Sequence, residues 1–242
     1  MKKTIVITGA SRGIGKAIAI ELAGKDTNIV INCVNNVDKL NEVKSIIEEK
    51  GSVCETFIGD MGNYSDVQKM FDMCLQRFGQ VDVLINNAGI SVVGLFQDMG
   101  ENEWHRICNT NIDSVFNCCH FAVKDMMKRH CGKIINISSV WGLYGASCEV
   151  AYSATKGAVN SFTKALAKEL APSGIQVRAA ASCARTTTLF RYPSVDRKVE
   201  LAEEIPAGRF GSPQEVAKLV KSLSGMNSYL TGQIITLDGG WI

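Results

Sequence analysis

The chain has 242 residues, enough for one large α/β domain with a substantial core, and no shift in composition marks a second domain. Its contents of 46% hydrophobic and 21% charged residues are ordinary for a globular enzyme. The formal net charge of +2 is too small to indicate nucleic acid as a partner. No apolar run approaches the roughly 20 residues that span a bilayer, so we expect no membrane association.

Nine cysteines in a chain without a secretory signal are typical of a reducing compartment, so we expect a cytoplasmic protein without disulfides. The adjacent residues Cys118, Cys119 and His120 could be considered as metal ligands. However, neighbouring positions on a helix point in different directions, and the chain has no Cys-x2-Cys pair followed by a second pair. We therefore predict that the protein binds no metal.

Strand-like and helix-like stretches alternate along the first part of the chain. Continuous aliphatic runs, such as residues 5–7 (Ile-Val-Ile), suit parallel strands that are covered on both faces, whereas the helical stretches carry one apolar stripe. We predict, in chain order, strand 4–8, helix 13–24, strand 28–33, helix 37–50, strand 53–58, helix 65–78 and strand 82–86.

The alternation continues in the second part of the chain and indicates an α/β fold with a doubly wound parallel sheet. Ligands of such sheets bind outside the carboxyl ends of the strands, and the most distinctive loops of this sequence all follow strands. We predict a helical region over 101–130, strand 133–138, helix 150–170, strand 175–181, an irregular stretch to about 197, helix 213–224 and a last strand near 234–237.

A glycine-rich turn joins the first strand to the first helix. Gly9, Gly13 and Gly15 allow the backbone to turn tightly and to approach a ligand, and the helix N-terminus then faces a pyrophosphate. The spacing is G-x3-G-x-G rather than the G-x-G-x-x-G of most dinucleotide folds, and a purely structural turn is the alternative. The strand before the turn and the helix after it favour a nucleotide site.

Tyr152 and Lys156 lie four residues apart, and Ser139 precedes Tyr152 by thirteen residues. Positions i and i+4 share one face of a helix, so the Lys156 ammonium can stand beside the Tyr152 phenol and favour its ionised form. Bringing a phenol from a pKa near ~10 close to neutrality requires roughly 4 kcal/mol, which one close cation in a shielded site could largely supply. The spacing predicts the acid–base pair of an oxidoreductase.

Three motifs carry a family resemblance: residues 8–15 (Thr-Gly-Ala-Ser-Arg-Gly-Ile-Gly), 86–89 (Asn-Asn-Ala-Gly) and 152–156 (Tyr-Ser-Ala-Thr-Lys). In this order and spacing they resemble the short-chain dehydrogenase/reductase family, and the match runs nearly the whole chain. Its 3-oxoacyl-[acyl-carrier-protein] reductase branch is the most similar, through stretches 134–139, 205–213 and 231–240. The resemblance implies one Rossmann-type domain over residues 1–242.

The resemblance also implies a nicotinamide dinucleotide cofactor. No carboxylate stands at Cys33, where NAD-binding chains carry an acid, and Arg12 can meet a 2′-phosphate, so NADP(H) is favoured. Val34 departs from the family, which often has a second basic residue there, and Arg12 as a solvent-facing charge is the alternative. Asp60 would bind the adenine edge, and the 86–89 backbone would line the adenosine ribose. The implied cofactor-binding residues are Gly9, Ser11, Arg12, Gly13, Ile14, Gly15, Asp60, Asn86, Ala88, Gly89, Tyr152, Lys156 and Thr187.

The family assigns the catalytic roles. Tyr152 would donate a proton to the carbonyl oxygen, and Lys156 would lower the pKa of Tyr152 and hold the nicotinamide ribose. Ser139 would hydrogen-bond the carbonyl, and Asn111 would support a water-linked proton relay. Each residue taken singly has a structural alternative, but all four at the family spacing favour catalysis.

The sequence departs from the family over 178–188. The usual Pro-Gly turn is replaced by Ser182 and Cys183, which removes both a fixed φ and a residue free to adopt φ > 0. Arg178 replaces the usual asparagine and is expected to place a long cation near the sheet end. A remodelled pocket, engineered or damaging changes and a mis-assigned stretch of sequence are three explanations. Impaired activity is one consequence to be expected of Arg178 and the unusual 178–188 segment.

The leading functional hypothesis is the NADPH-dependent reduction of a 3-oxoacyl thioester in fatty-acid synthesis, with an acyl-carrier protein as partner. Arg129 matches one basic position that the family uses to dock the carrier, the second is Ser173 here, and an ordinary helix charge is the alternative. A hydroxysteroid or other secondary-alcohol dehydrogenase shares every catalytic residue. The non-enzymatic alternative is a dinucleotide-binding sensor or scaffold. The family is commonly homotetrameric, and Phe162 and Trp241 would then face partner subunits.

Overall fold

A computed structural model describes residues 2–183, 202–225 and 227–241 of the chain. Its strands are β1 (Lys3–Ile7), β2 (Thr27–Cys33), β3 (Val53–Ile58), β4 (Val83–Asn86), β5 (Gly132–Ser139), β6 (Ile175–Ser182) and β7 (Ile234–Leu237). Its α-helices are α1 (Gly13–Leu22), α2 (Val37–Glu49), α3 (Tyr64–Phe78), α4 (Glu101–Cys108), α5 (Ser114–Arg129), α6 (Trp141–Tyr144), α7 (Val150–Leu170) and α8 (Pro213–Gly225). Short 3-10 turns lie at Phe96–Asp98 and Ala171–Ser173.

The strands described above form one parallel sheet in the order β3-β2-β1-β4-β5-β6-β7. The order reverses direction at β1 and β4, so the loops after these two strands diverge and leave a crevice between them. The predicted fold class, a Rossmann-type doubly wound α/β sheet, is confirmed. The sheet therefore gathers the loops that follow β1, β2, β4, β5 and β6 at one edge.

Helices cover both faces of the sheet, which explains why its strands are uninterrupted aliphatic runs. Successive side chains of a strand point to opposite faces, and in β1 Ile5 and Ile7 enter one core while Val6 enters the other. β2 repeats the pattern, with Ile29 and Ile31 in the first core and Val30 in the second. Both kinds of position are apolar because both faces are dry.

The helical region predicted over 101–130 is present but is divided by a π-helical turn at Asn109–Asp113. A π-turn adds one residue to the helical circumference and changes the direction in which the following side chains point. Asn111 lies in this turn and is completely buried. The turn thus directs one polar side chain into the interior between α4 and α5.

The expectation that Arg178 places a long cation near the sheet end is wrong. Its side chain is completely buried, and the guanidinium donates hydrogen bonds to the carbonyls of Leu223, Asn227 and Leu230, at and beyond the C-terminal end of α8. Burial lowers the pKa of this guanidinium, and one of its acceptors, the Leu223 carbonyl, lies in the last turn of α8, where a helix leaves carbonyls without intrahelical donors. Arg178 is therefore a structural cap for α8.

Two lysines complete the cap. Lys3 and Lys133 both donate to the carbonyl of Ser224, at 3.2 and 2.9 Å. Positive charge is favoured at a helix C-terminus because the peptide dipoles leave it partially negative. Three strands, β1, β5 and β6, thus each contribute one cation to the same helix end.

All nine cysteines lie in the described residues as thiols rather than disulfides, and six of them, including Cys54, Cys74, Cys118 and Cys119, are buried. Burial raises the pKa of the Cys54, Cys74 and Cys119 thiols to about 12, so they are unreactive core residues. In the described residues, no helix is both long enough and apolar enough to cross a membrane. Those residues also contain no group of three or more His, Cys, Asp and Glu side chains that could hold a metal ion.

The role of Arg178 as a cap can be tested by Arg178→Met, which keeps the volume and removes the donors. Because the buried Leu223 carbonyl left without a donor costs about 1–3 kcal/mol and two partly buried hydrogen bonds are lost with it, we expect the free energy of unfolding to fall by about 3 kcal/mol in urea denaturation. The control is Arg209→Met, which removes an exposed guanidinium paired with Glu215 at the other end of α8 and should cost less. Equal losses in the two variants would contradict the capping role.

Candidate active site

A cavity of about 510 Å³ opens at the carboxyl edge of the sheet. It runs from the loop after β1, past the ends of β2 and β4, to the end of β5 and the first turns of α7. Among its lining residues are Gly9, Ser11, Arg12, Gly13, Ile14, Gly15, Asp60, Ala88, Gly89, Ser139, Tyr152 and Lys156. Residues that are far apart in the sequence therefore share one cleft.

The loop after β1 needs glycine at particular positions. Gly9 and Gly13 have φ values of 64° and 58°, a region that other residues rarely adopt. A Cβ atom on Gly9 would lie 2.9 Å from the Cα of Ala88, so the loop after β4 packs directly on this turn. Asn87 fixes that contact, because its Nδ2 donates to the carbonyls of Thr8 and Gly9 at 2.9 and 3.0 Å.

The start of α1 suits an anion. Arg12 precedes the first helical residue, and no side chain in the described residues makes a capping hydrogen bond there. The first turn carries no acidic residue, so its backbone N–H groups face the cavity without a competing negative charge. Together with the close approach at Gly9, this arrangement fits the pyrophosphate of a dinucleotide.

Asn32 is a residue of this region that the sequence interpretation missed. It is buried at the end of β2 and lines the cavity, and its Oδ1 accepts a hydrogen bond from the Gly9 backbone at 3.4 Å. Its Nδ2 donates to the carbonyls of Phe57 and Gly59 at 3.2 and 3.0 Å, at the end of β3 and just after it. An amide directly after the aliphatic run 29–31, at the end of a strand, was the available signal. Asn32 joins the glycine turn to the two neighbouring strand ends.

The structure places the remaining implied cofactor residues differently. Asp60 lines the cavity, together with Cys33 and Val34, and accepts a hydrogen bond from the Gly62 backbone at 2.9 Å. Asn86 does not line it, because its side chain turns into the core and donates to Asn136 at 2.8 Å. Thr187 lies outside the described residues.

Tyr152 and Lys156 lie on the same side of α7 at the cavity, as their spacing predicts. The Lys156 Nζ lies 5.6 Å from the centroid of the Tyr152 ring and donates to the Ile137 carbonyl at 2.8 Å. Lys156 is 4% exposed, and burial lowers its pKa from 10.5 to about 8. The lysine is therefore held rigidly at the end of β5 at a cost in charge desolvation.

Ser139 ends β5 beside this pair. Its Oγ accepts a hydrogen bond from the Trp141 backbone at 3.2 Å, which leaves the hydroxyl proton free to be donated. Trp141 begins the short helix α6 and also lines the cavity. The cavity thus offers a phenol, an ammonium and a hydroxyl within one region.

Asn111 is completely buried and does not line the cavity. Its Oδ1 accepts from the Ile90 backbone at 2.8 Å, and its Nδ2 donates to the Ile90 carbonyl at 2.9 Å and to Thr155 Oγ1 at 3.0 Å. Thr155 in turn donates to the Tyr152 carbonyl at 2.9 Å. Asn111 therefore connects the loop after β4 to the helix that carries Tyr152.

Gly89 lies beside two of these groups. A Cβ atom there would lie 3.4 Å from Asn111 Oδ1 and 3.5 Å from Lys156 Nζ, which are ordinary van der Waals distances. The loop after β4 thus passes next to both the π-turn and α7. The four predicted catalytic residues are brought together around this loop.

Comparison with known proteins agrees with this arrangement. The family model described as "short chain dehydrogenase" matches residues 3–196. The chain belongs to the short-chain dehydrogenase family. It is therefore an oxidoreductase, and the family binds a nicotinamide dinucleotide, for which the glycine turn and the α1 N-terminus described above are suited.

Relatives in this family are similar over their full lengths. The chain is 37% identical over 241 residues to the 3-oxoacyl-[acyl-carrier-protein] reductase FabG of Staphylococcus epidermidis, with 99% of each chain covered. The same reductase of Staphylococcus aureus is 37% identical, with 99% of this chain and 98% of the relative covered. The uncharacterized oxidoreductase YmfI of Bacillus subtilis is 37% identical over 243 residues, with 100% and 99% covered.

Departures from the short-chain dehydrogenase pattern lie at the far end of the cavity. Ser182 and Cys183 line it where the family has Pro-Gly, and the Cys183 backbone N–H donates to the Leu237 carbonyl at 3.0 Å. Cys183 is buried in a small cluster with Val140 and Ile205, against which Trp141 and Trp241 pack. Arg178 does not line the cavity. The backbone at 182–183 is thus held by β7.

The buried Lys156 gives a prediction about stability and pH. Since its folded pKa of about 8 lies below the unfolded value of 10.5, the unfolded chain binds more protons between these pH values, and stability rises with pH there. At pH 7, Lys156→Met removes a burial cost of about 3 kcal/mol and a hydrogen bond worth about 1 kcal/mol. We therefore expect a gain of about 2 kcal/mol in the free energy of unfolding.

The gain should shrink toward zero as the pH approaches 10, measured by urea unfolding of the cofactor-free protein at several pH values. Lys164→Met, an exposed position on the same helix, is the control and should show no such gain. A difference between Lys156→Met and the unaltered protein that stays constant from pH 7 to pH 10 would contradict the assigned cause.

Proposed function

We propose that the protein reduces a carbonyl group with NADPH, and that its substrate is a 3-oxoacyl thioester, as in the 3-oxoacyl-[acyl-carrier-protein] reductases that it resembles. One observation carries this proposal. The Tyr152 ring, the buried Lys156 ammonium 5.6 Å from its centroid and Ser139 adjoin the same cavity as the anion-suited start of α1. That combination serves hydride transfer coupled to proton transfer.

Tyr152 acts as the general acid and donates the phenolic proton to the carbonyl oxygen. Lys156 stabilises the phenolate that remains, because a cation close to a phenol favours the ionised form. Ser139 donates its hydroxyl proton in a hydrogen bond to the same oxygen and stabilises the negative charge that develops there. A nicotinamide cofactor held in the cavity would supply the hydride that the carbonyl carbon receives.

Asn111 acts on these groups indirectly, through the backbone that positions them. Its amide is fully engaged with Ile90 and Thr155, so its contribution is to fix the loop after β4 and the start of α7 relative to each other. The water-linked proton relay proposed for Asn111 then depends on the backbone of the π-turn. Misplacement of reacting groups by about 1 Å can cost roughly 100-fold in rate, so such fixing is catalytically valuable.

NADP(H) is the proposed cofactor because of the residues beside the adenosine end of the cavity. Arg12 lines the cavity and is exposed, and Cys33 and Val34 stand where a carboxylate would select the unphosphorylated ribose. Arg12 is then the cation that meets the 2′-phosphate. Thr187 is proposed to contact the nicotinamide by resemblance alone.

Carrier-protein docking receives less support. Arg129 is ion-paired with Asp82 and Asp125 at 3.0 and 2.8 Å and donates to the Val81 carbonyl, with 25% of its side chain exposed. A guanidinium held by two carboxylates offers little charge to an acidic partner. The thioester is therefore the better supported part of the substrate proposal, and the acyl-carrier protein the weaker part.

We further propose that residues 1–242 act as one domain, in a homotetramer and in the reducing cytoplasm, where nine cysteines persist as thiols. Trp241 packs against Trp141 of its own chain, with ring centroids 4.9 Å apart. It is therefore partly covered before any partner subunit binds. Phe162 packs on the edge of the core that contains Val159 and Leu170.

The function is tested by following NADPH absorbance with acetoacetyl thioester as substrate. We expect turnover, and we expect Tyr152→Phe to reduce kcat by at least about 100-fold because the proton donor is lost. NADPH binding by Tyr152→Phe, measured by fluorescence, should stay within a few fold. Tyr144→Phe, at an exposed tyrosine beyond Ser139, is the matched control and should retain activity.

Each alternative has its own outcome in the same assay. Turnover of hydroxysteroids without turnover of the thioester would reject the thioester proposal in favour of a secondary-alcohol dehydrogenase. NADPH binding without turnover on any carbonyl compound would reject the enzymatic proposal in favour of a sensor. Full activity of Tyr152→Phe would reject the mechanism.

Cofactor choice is tested by Arg12→Ala. We expect KM for NADPH to rise about 10-fold and KM for NADH to change little, because Arg12 contacts only the 2′-phosphate that distinguishes the two cofactors. Lys16→Ala, at the first turn of the same helix, is the control for general loss of positive charge. An equal change of KM for both cofactors in Arg12→Ala would contradict the assignment.

A further inference from the structure

A buried amide lies one helical turn after Lys156 on α7. The Asn160 side chain is buried, and its Nδ2 donates to the Gly142 carbonyl of α6 at 3.0 Å. Its Oδ1 is also buried and has no hydrogen-bond partner among the described residues. A buried acceptor without a partner destabilises a fold, whereas an aliphatic side chain of the same size has no such cost. The mechanism proposed above does not use Asn160, so an amide at this position calls for a specific reason.

The Gly142 carbonyl is an acceptor that α6 itself does not use. This helix has only four residues, Trp141–Tyr144, and a longer helix would bond the carbonyl to the Ala146 backbone. Instead, the Ala146 N–H donates to Ser153 Oγ, on α7, at 3.1 Å. Two side chains of α7, Ser153 and Asn160, therefore bond to the donor and the acceptor that a longer α6 would pair with each other.

α6 and α7 approach each other closely at this point. A Cβ atom on Gly142 would lie 2.6 Å from the carbonyl carbon of Lys156 and 2.8 Å from its Cβ. Ser138 Oγ donates to the Lys156 carbonyl at 3.4 Å, so the end of β5 contacts the same turn of α7. Residue 142 has no side chain that would interlock with α7, and the Asn160 amide supplies the directional contact there.

α6 in turn orients the hydroxyl of Ser139. The Trp141 backbone N–H donates to Ser139 Oγ at 3.2 Å and occupies one of its acceptor positions, which restricts the directions left for the hydroxyl proton. Trp141 directly precedes Gly142 in the chain. Two consecutive residues of α6 thus carry the N–H that holds Ser139 and the carbonyl that Asn160 holds.

We propose that Asn160 is a positioning residue for Ser139. By holding α6 against α7, it fixes the Trp141 N–H and with it the direction in which Ser139 donates its proton to the carbonyl oxygen of the substrate. Ser139 and Trp141 line the cavity and Asn160 does not, so the effect of Asn160 passes through Ser139. This inference rests on the carbonyl reduction proposed for the same site.

The first test is a double-mutant cycle of Asn160→Leu and Ser139→Ala, with kcat for the reduction of acetoacetyl thioester by NADPH as the measurement. Leucine keeps the size of asparagine and removes the donor. We expect Asn160→Leu alone to lower kcat about 10-fold, through misplacement of the hydroxyl, and to leave KM for NADPH within about 2-fold. In Ser139→Ala, which has no hydroxyl to orient, adding Asn160→Leu should change kcat by less than about 2-fold.

Asn117→Leu is the matched control. Asn117 is a buried amide on α5 that donates to the carbonyls of Met61 and Gly62 at 3.0 and 3.1 Å, neither of which belongs to α6. This variant removes the same kind of donor without touching the contacts of Ser139. The factor by which it changes kcat should therefore be the same, within about 2-fold, with and without the Ser139 hydroxyl.

The second measurement reports on α6 directly. We compare hydrogen exchange of the unaltered protein and of Asn160→Leu by mass spectrometry. The peptide that contains Trp141–Tyr144 should exchange at least about 3-fold faster in the variant, because α6 has lost a contact that holds it on α7. Peptides from β2 and α2, which do not contact Asn160, should exchange at unchanged rates.

The outcomes separate this inference from the proposed function. If the unaltered protein reduces no carbonyl compound, the proposed function fails and the inference fails with it. If the protein is active but Asn160→Leu keeps full activity, or lowers kcat equally with and without the Ser139 hydroxyl, the positioning role alone is wrong.

Two practical cases are also decided. Where Ser139→Ala turns over too slowly for the cycle, the exchange rate of α6 decides, and an unchanged rate in Asn160→Leu overturns the positioning role. Where Asn160→Leu does not fold, Asn160→Ala takes its place in both measurements with the same expected results, because alanine adds no volume and has the highest helix propensity.

Discussion

Parallel pairing of the strands is the constraint on which the rest of this molecule depends. A parallel sheet has all its carboxyl ends at one edge, and helices must cover both of its faces, so each strand becomes a dry aliphatic run and the chemistry moves into the loops. Asn32, Asn87, Gly89, Ser139 and Ser182 all stand at or just after strand ends for this reason. The distance between the glycine turn and the Tyr152–Lys156 pair is then set by the sheet rather than by flexible chain.

Much of this could be predicted from the sequence because the decisive signals are local. The run Ile5, Val6 and Ile7 identified β1 to within one residue, and the four-residue spacing of Tyr152 and Lys156 placed both at the cavity. The π-turn could not be predicted in this way, since it is accompanied by hydrogen bonds that Asn111 donates to the Ile90 carbonyl and to Thr155, both far away in the sequence. The position of the Arg178 side chain was predicted wrongly for a similar reason, because its hydrogen-bond acceptors are backbone carbonyls 45 to 52 residues away.

The site itself combines two kinds of burial with opposite consequences. Asn111 and Thr155 are buried with their hydrogen bonds made, which stabilises the fold and fixes geometry. Lys156 is buried with its charge only partly compensated by the Ile137 carbonyl, which destabilises the cofactor-free protein. Functional sites of proteins commonly reduce the stability of the fold. Here the loss of stability comes from one buried ammonium, and the polar groups Asn111 and Thr155 have their hydrogen bonds made.

The cap that Arg178, Lys3 and Lys133 form on α8 also bears on how this chain can diverge. It ties the C-terminal end of α8 to three strands, while Ser182 and Cys183 are held by β7. All the acceptors in this cap are backbone carbonyls, so the cap does not depend on the side chains of α8. Substitutions at the C-terminal end of α8 can therefore accumulate while its attachment to the sheet is kept.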